Sequence, residues 1–422
     1  MKKIFRVLLI SGLTFILFTG LFSNGLNLNS IGSKASSMGT AFVGLADDFS
    51  AVFFNPAGLT QMEQATLTCY ITSIIPMGTY QFELLGTTLA DTKTASAVYP
   101  SGAIAYIKPI SEKMVLGIAG YVPSGIGTKW PGEELTLLSG GTEYVWNSFI
   151  AMITVSPVIA YKINDKFSVG ASLNLNYAMI KMKNPAGDGE NVPYFQYEEK
   201  ISGIAFGATL GIMVKPYDFL SIGAAFKAPI SATIKGDADA PGLTQLGLSG
   251  SSNAERSATW PMWFGIGVAI KPNDRLTITA DFQYNNWKKL ADIPVTYDDA
   301  GWKAAGMEEA STFELRWEDT TDIRFGIEYK LSDSFALRGG FYTDRAPSPE
   351  ETLNILLPSI DYKCVTFGLG YKKGKMSVDF AVEYLTGKDR EVDPMNYLVG
   401  AGMPGTHGMK VVVPNVTFTY KF

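Results

Sequence analysis

Thr321-Asp322-Ile323-Arg324-Phe325-Gly326-Ile327-Glu328-Tyr329-Lys330 is the stretch on which the fold turns. In an extended chain Ile323, Phe325, Ile327 and Tyr329 share one face, while Asp322, Arg324, Gly326, Glu328 and Lys330 share the other. The same split sets Leu276, Ile278, Ala280, Phe282 and Tyr284 against Thr277, Thr279, Asp281, Gln283 and Asn285, and it recurs in 167–177 and 376–384. A soluble β-sandwich alternates in the same way, so the connections must decide what surrounds the apolar face. Short polar turns at 108–113, 162–166, 215–218, 271–275, 330–334 and 372–375 alternate with long Gly-, Pro-, Asp- and Asn-rich connections at 130–142, 184–200, 236–255, 291–310, 344–359 and 387–407. Tight turns at one end and long loops at the other are the asymmetry of transmembrane β-barrels.

The turns also give the strand number. Six of them join twelve strands, and one more at each chain end makes about fourteen, an even number that closes and removes the sheet edges lipid cannot tolerate. The expected fold is an all-β transmembrane antiparallel barrel. Its strands fall near 66–75, 101–108, 113–122, 148–162, 166–182, 201–215, 219–235, 257–270, 275–288, 312–330, 334–343, 361–372, 375–387 and 408–422. Both termini then lie on the short-turn, periplasmic side. The last strand places Val416, Phe418, Tyr420 and Phe422 on one face, and a terminal aromatic such as Phe422 resembles the address read by barrel-assembly machinery.

Composition agrees. Of 422 residues 46% are hydrophobic and only 18% charged, with net charge −5. Beyond the N-terminus no apolar run approaches the roughly 20 residues of a helical span. The mild acidity speaks against a nucleic-acid partner. A single histidine, His407, leaves little for histidine-based catalysis or a histidine metal site, so neither cofactor nor metal is expected. Cys69 and Cys364 sit far apart in strand-like segments, and nothing requires them to be joined.

Two segments stand apart from the barrel, expected at 64–422. Lys2, Lys3 and Arg6 precede an apolar stretch from Val7 to Phe22 and small residues at Ser23 and Gly25, which reads as a signal peptide over 1–23. Residues 24–63 do not alternate. Rich in Gly, Ser and Ala, they are expected to fold into the lumen as a plug, or hatch, closing a pore the strand count would otherwise leave open.

In these segments the sequence resembles a known group, the outer-membrane long-chain fatty acid transporters of the FadL family and their relatives that import aromatic hydrocarbons. Gly25-Leu26-Asn27-Leu28, Gly39-Thr40-Ala41-Phe42-Val43-Gly44, Asp47-Asp48 and Asn55-Pro56-Ala57-Gly58-Leu59 match that family's hatch in order and spacing. Tyr121-Val122-Pro123-Ser124-Gly125 and Asp344-Arg345-Ala346-Pro347-Ser348-Pro349 extend the likeness along the barrel. The connection 184–200 departs from the pattern, being short for the family's external ligand groove. The resemblance implies passive transport of a hydrophobic small molecule, captured among the loops, released when the hatch shifts, and passed through a kinked third strand into outer-membrane lipid.

Candidate site residues follow. Asn55, Pro56, Ala57 and Gly58 read either as a switchable plug segment or as a tight turn capped by the Asn side chain. All seven tryptophans lie in loops or near them, the distribution of an interfacial girdle. Continuing the alternation turns Trp260 and Trp317 toward lipid and Trp146, Trp263 and Trp287 toward the lumen, where they would line an apolar ligand site. Arg324 and Arg338 are expected as diagonal neighbours across the 331–334 turn, either holding a carboxylate or neutralised by Asp322, Glu328, Asp379, Asp47 or Asp48. Gly117, Gly120, Pro123 and Gly125 weaken pairing of the third strand and mark a candidate lateral exit, or relieve crowding against the hatch. An outer-membrane lipase or protease would need partners His407 lacks, and an open porin or adhesin would need no plug.

Overall fold

The computed structural model describes residues 25–29, 31–187, 189 and 192–422, so the expected signal peptide at 1–23 lies outside the described residues. Fourteen antiparallel strands form one closed barrel. They are β1 (Thr66–Leu84), β2 (Tyr99–Pro109), β3 (Met114–Trp130), β4 (Trp146–Asn164), β5 (Phe167–Ala186), β6 (Phe195–Tyr217), β7 (Leu220–Lys227 and Ile230–Asp239) and β8 (Ser251–Trp260 and Trp263–Ile270). Then come β9 (Leu276–Asn285), β10 (Thr320–Lys330), β11 (Phe335–Asp344), β12 (Tyr362–Lys373), β13 (Met376–Gly387) and β14 (Gly405–Lys421). The seam pairs β1 with β14, from Thr66 opposite Lys421 upward.

The two faces are the reverse of a soluble protein's. On β10, Ile323, Phe325, Ile327 and Tyr329 are 43 to 50% exposed on the outside, whereas Asp322 and Arg324 are 0% exposed inside. An exterior of exposed large apolar residues is tolerable only where lipid replaces water.

Two expectations about strand extent change. β1 continues past residue 75 to Leu84, turns at Leu85 and Gly86, both at positive φ, and returns as Thr87–Lys93. A Leu-Gly turn lacks the Asn-Gly or Asp-Gly signature of such hairpins, which is why the pattern hid it. The strands also rise into the connections expected at 184–200 and 236–255, because β5 pairs with β6 up to Ala186 opposite Phe195, and β7 with β8 up to Asp239 opposite Ser251.

Inside the barrel, residues 31–61 make short helices, α1 (Ser33–Ser37) and α2 (Ala51–Phe54), followed by a 3₁₀ turn, Pro56–Gln61. Ile31, Met38, Phe42, Phe49 and Phe54 bury against Tyr70, Ile107, Tyr121 and Met213 of the wall.

Candidate functional site

The hatch touches the wall backbone to backbone. A Cβ at Gly170, Gly211, Gly223, Gly267, Gly326, Gly340 or Gly368 would fall within 2.6 Å of an atom of the hatch. These seven lumen-facing glycines lie on β5, β6, β7, β8, β10, β11 and β12, a belt around most of the lumen. Nothing larger than hydrogen fits there.

Polar bonds fasten the same body. The Asn55 side chain accepts from Ala57 N at 3.2 Å and donates to Val43 O and to Ile212 O of β6, both at 2.9 Å. One amide thus shapes its own turn, as the capped-turn reading expects, and tethers it to the wall. Val43 N donates to Asp281 on β9 at 2.8 Å, and Ser33 N to Thr417 on β14 at 2.8 Å. On the turn side Lys34 bonds Asp47 at 2.8 Å and lies 3.9 Å from Glu328. Burial opposes the charge on Lys34, yet Asp47 and Glu328 overcome it and raise its pKa above the ordinary value. Burial, with Asp47 beside it, pushes Asp48 up to about 6.

The wall opens between β2 and β3. β3 pairs with β2 only from Pro109 opposite Val115 to Ala103 opposite Tyr121. Its register against β4 then shifts between Tyr121 and Ser124. Above that point β2 keeps β1 as its only partner through Tyr99, and β3 keeps β4. The strands meet again only where Ala95 N donates to Lys129 O at 2.8 Å, leaving a window between them. On its lumen side an arm of the hatch occupies the vacated edge. Leu28 N donates to Pro123 O and Gly125 N to Leu26 O, both at 2.9 Å, and Ser124 Oγ donates to Leu26 O at 2.8 Å.

A largely apolar cavity of about 300 Å³ runs from the lumen to this window. Tyr70, Ile74, Met409 and Val411 line its inner part, and Tyr99, Val122, Phe149 and Ile153 carry it through the wall. A smaller chamber of about 70 Å³ shares Asn27, Leu28 and Asn29 with it and holds Lys227. The Lys227 ammonium lies 3.1 Å from the centroid of the Phe53 ring and 4.5 Å from that of Trp263, and makes no ion pair among the described residues.

The expected site residues disperse. Trp263 borders the small chamber and donates to Gln283 at 3.1 Å. Trp287 lies fully buried beside the arm, edge-on to Trp317 at 5.1 Å. Trp146 belongs instead to a loop-side cluster with Tyr80, Phe82 and Trp130. Trp260 and Trp317 do not face lipid: they are 4% and 3% exposed and pack inside. Pro261-Met262 breaks β8 and resets its parity, and Trp317 precedes β10 rather than lying in it.

Arg324 and Arg338 are not neighbours. Register sets Arg324 opposite Tyr342 and Arg338 opposite Glu328, about 13 Å apart along the strands. Arg338 bonds Glu328 at 2.7 Å and Asp379 at 2.6 Å on the turn side. Arg324 donates to Thr40 and to Asn29 of the hatch and lies 3.5 Å from Asp322. Gly117 and Gly120 sit in regularly paired β3, opposite Ile107 and Ile104, whereas Pro123 and Gly125 lie at the window.

Sequence reasoning missed the glycine belt, Lys227, and Arg256, whose buried guanidinium bonds Glu199 at 2.7 and 2.8 Å and holds the 286–319 loop through Ile293 O and Ser311 O. A lone Lys two residues before Pro229 was the available signal for Lys227.

A lipid-facing fourteen-stranded barrel plugged by its own N-terminal segment, with an apolar cavity behind the plug, defines an outer-membrane transport channel rather than an enzyme. Residues 17–422 match the family model described as outer membrane protein transport protein (OMPP1/FadL/TodX), and the chain belongs to that family. Among curated relatives it is 21% identical to outer membrane protein P1 of Haemophilus influenzae over 84% of each chain. It is 22% identical to the long-chain fatty acid transport protein of Escherichia coli K12, over 90% of this chain and 92% of that one. Among solved structures, a Pseudomonas aeruginosa FadL homologue superposes with TM-score 0.80 at 19% identity, covering 94% of this chain and all of the other. The P. putida toluene transporter TodX superposes with TM-score 0.75 at 16% identity, over 94% and 99%. At these identities the likeness to the solved structures speaks for the fold.

Proposed function

We propose that the protein takes up a hydrophobic small molecule of the fatty acid or aromatic hydrocarbon kind from outside the cell and releases it sideways into the outer membrane. The observation carrying this reading is the cavity that begins behind the hatch and ends at the window between β2 and β3. Moving an acyl chain into water costs about 0.8 kcal/mol per CH₂, whereas moving it into lipid costs almost nothing. A side window therefore suits such a ligand better than the polar vestibule on the turn side, lined by Lys34, Asp47, Asp48 and Arg338. Passage requires the 25–29 arm to leave the edge of β3, which is the hatch rearrangement. Residues 1–23 act as the export signal, 24–63 as the hatch and 64–422 as the barrel. Both ends face the periplasm, and Phe422 is offered to the assembly machinery.

Lys227 supplies the polar end of the site. An ammonium held between two aromatic rings without a carboxylate partner attracts a ligand carboxylate. Arg324 and Arg338 already have acidic partners, so they serve the hatch seat.

Two variants test the two statements. Ser101→Trp with Gly125→Trp fills the window, and a Cβ at Gly125 meets nothing nearer than Ile150 O at 3.5 Å. Fatty acid binding to the purified protein is expected to persist while uptake by cells stops; normal uptake by the inserted variant would refute the lateral route. Lys227→Met should weaken a fatty acid by about 1.5 to 3 kcal/mol and leave its alcohol unaffected. Equal losses for both ligands would remove Lys227 from the site.

A further inference from the structure

The outside of the wall beside the window changes character at one height. On β5 the outward residues run apolar through Leu173, Leu175, Tyr177 and Met179, then become Lys181 and Lys183. On β6 the outward Ile204 and Phe206 give way, toward the loops, to Ser202 and Lys200. β4 passes from Ile153 and Phe149 to Asn147, and β3 ends outward at Lys129. This level is the upper border of the apolar band, where a barrel meets the headgroups of the outer leaflet.

Register brings the cations together. Lys181 stands directly opposite Lys200, and on its other side opposite Phe149, which faces Gly127. One step nearer the loops, Asn147 lies between Lys129 and Lys183. Lys183 is paired with Glu198 at 2.6 Å. Lys129, Lys181 and Lys200 make no ion pair among the described residues, although Asp237 stands across from Lys200 on β7. The Lys181 ammonium only rests 5.8 Å from the Phe149 ring, and that ring stacks on Tyr99 at 6.3 Å. Like charges directly opposite one another on a strand pair are destabilising unless an anion lies between them.

We infer that Lys129, Lys181 and Lys200 form a binding site for the phosphate groups of an outer-leaflet glycolipid. Charge, height and setting select this occupant. Phosphate offers several acceptor oxygens to separate ammonium groups. The cations sit at headgroup depth, and the aromatic pair Tyr99 and Phe149 beside them offers a surface to acyl chains. Those same two side chains line the outer mouth of the window, so the seated lipid stands at the window's edge. The site does not depend on the identity of the transported ligand.

The test uses the full chain in detergent micelles, with diphosphorylated lipid A as the probe and retained lipid read by native mass spectrometry. Lys129→Gln, Lys181→Gln and Lys200→Gln combined should weaken retention about 100-fold, at about fivefold per lysine. Dephosphorylated lipid A should bind the native protein about as weakly as the intact lipid binds the variant. Lys363→Gln with Lys410→Gln, outward lysines at a corresponding height on β12 and β14, should leave retention unchanged. Heat-modifiable migration on gels confirms that each variant is a folded barrel, and since all five positions point outward, none disturbs the core. Equal retention by native protein and triple variant would overturn the inference. So would equal binding of phosphorylated and dephosphorylated lipid, or an equal loss in the control pair.

Discussion

From β5 to β12 the wall gives up side chains to admit the hatch; at β2 and β3 it gives up its own hydrogen bonds. On the first side, seven glycines let hatch backbone lie directly against strand backbone, and Asn55, Asp281 and Thr366 add polar ties. On the second, the ladder stops above Tyr121, and the 25–29 arm takes part of the vacated edge with three bonds of its own. Close packing of this kind resists deformation. The arm's three bonds to β3, by contrast, are each worth about 1 kcal/mol net, and its further ties run from Asn27 to Asn285 and from Asn29 to Asp344 and Arg324. The contrast sets the glycine-seated body apart from the arm, the part that the proposed release requires to move.

The most severe way to break that division is to delete residues 24–63 and keep residues 1–23. Large, steady single-channel currents in planar bilayers are expected, since a barrel of this size is open without a plug. Equal low conductance with and without the segment would show that the loops, not the hatch, form the barrier.

A milder intervention attacks the fixed side alone. Gly211→Val forces a side chain into Asn55 of the hatch and Gly340→Val into the backbone of Gly39, and overpacking of this kind costs about 1 to 3 kcal/mol. Hydrogen exchange of the 33–61 amides should accelerate accordingly. Gly120→Val, whose Cβ would meet nothing nearer than 3.8 Å, should change nothing. Identical exchange in all three variants would mean that the belt does not seat the hatch.

The smallest effect is a pH dependence on the turn side. Asp48 titrates in the folded protein near 6, above its ordinary 3.8, so the fold holds that proton more tightly than the unfolded chain does. Its contribution to seating is present at low pH, falls as pH rises through about 6, and is flat beyond. Hatch exchange protection, corrected for the intrinsic rate, should therefore decline modestly between pH 5 and 7, and Asp48→Asn should abolish the decline. A rise in protection over that range would reverse the assignment.

The barrel was legible in the sequence because lipid demands strict alternation, and Thr321–Lys330 displays it without a break. Side-chain position was legible only while parity held. Pro261 and Met262 reset it and turned Trp260 inward, and an offset of four residues across the 331–334 turn separated Arg324 from Arg338. The glycine belt escaped because Gly326, read on the polar face of its strand, looks like an unremarkable spacer until the hatch is seen against it. The window was half visible: Pro123 and Gly125 sit at it, while Gly117 and Gly120 belong to intact ladder.

The belt also constrains the order in which the molecule is made. The hatch leads directly into β1, the strand that closes the cylinder against β14, with Phe422 N donating to Ala65 O at 3.0 Å. A body lying backbone to backbone on seven strands has no slack to be threaded in afterwards. A close fit of this kind favours seating the hatch on the concave face of the curling sheet while β1 and β14 are still apart, with the lumen furnished before the cylinder is sealed.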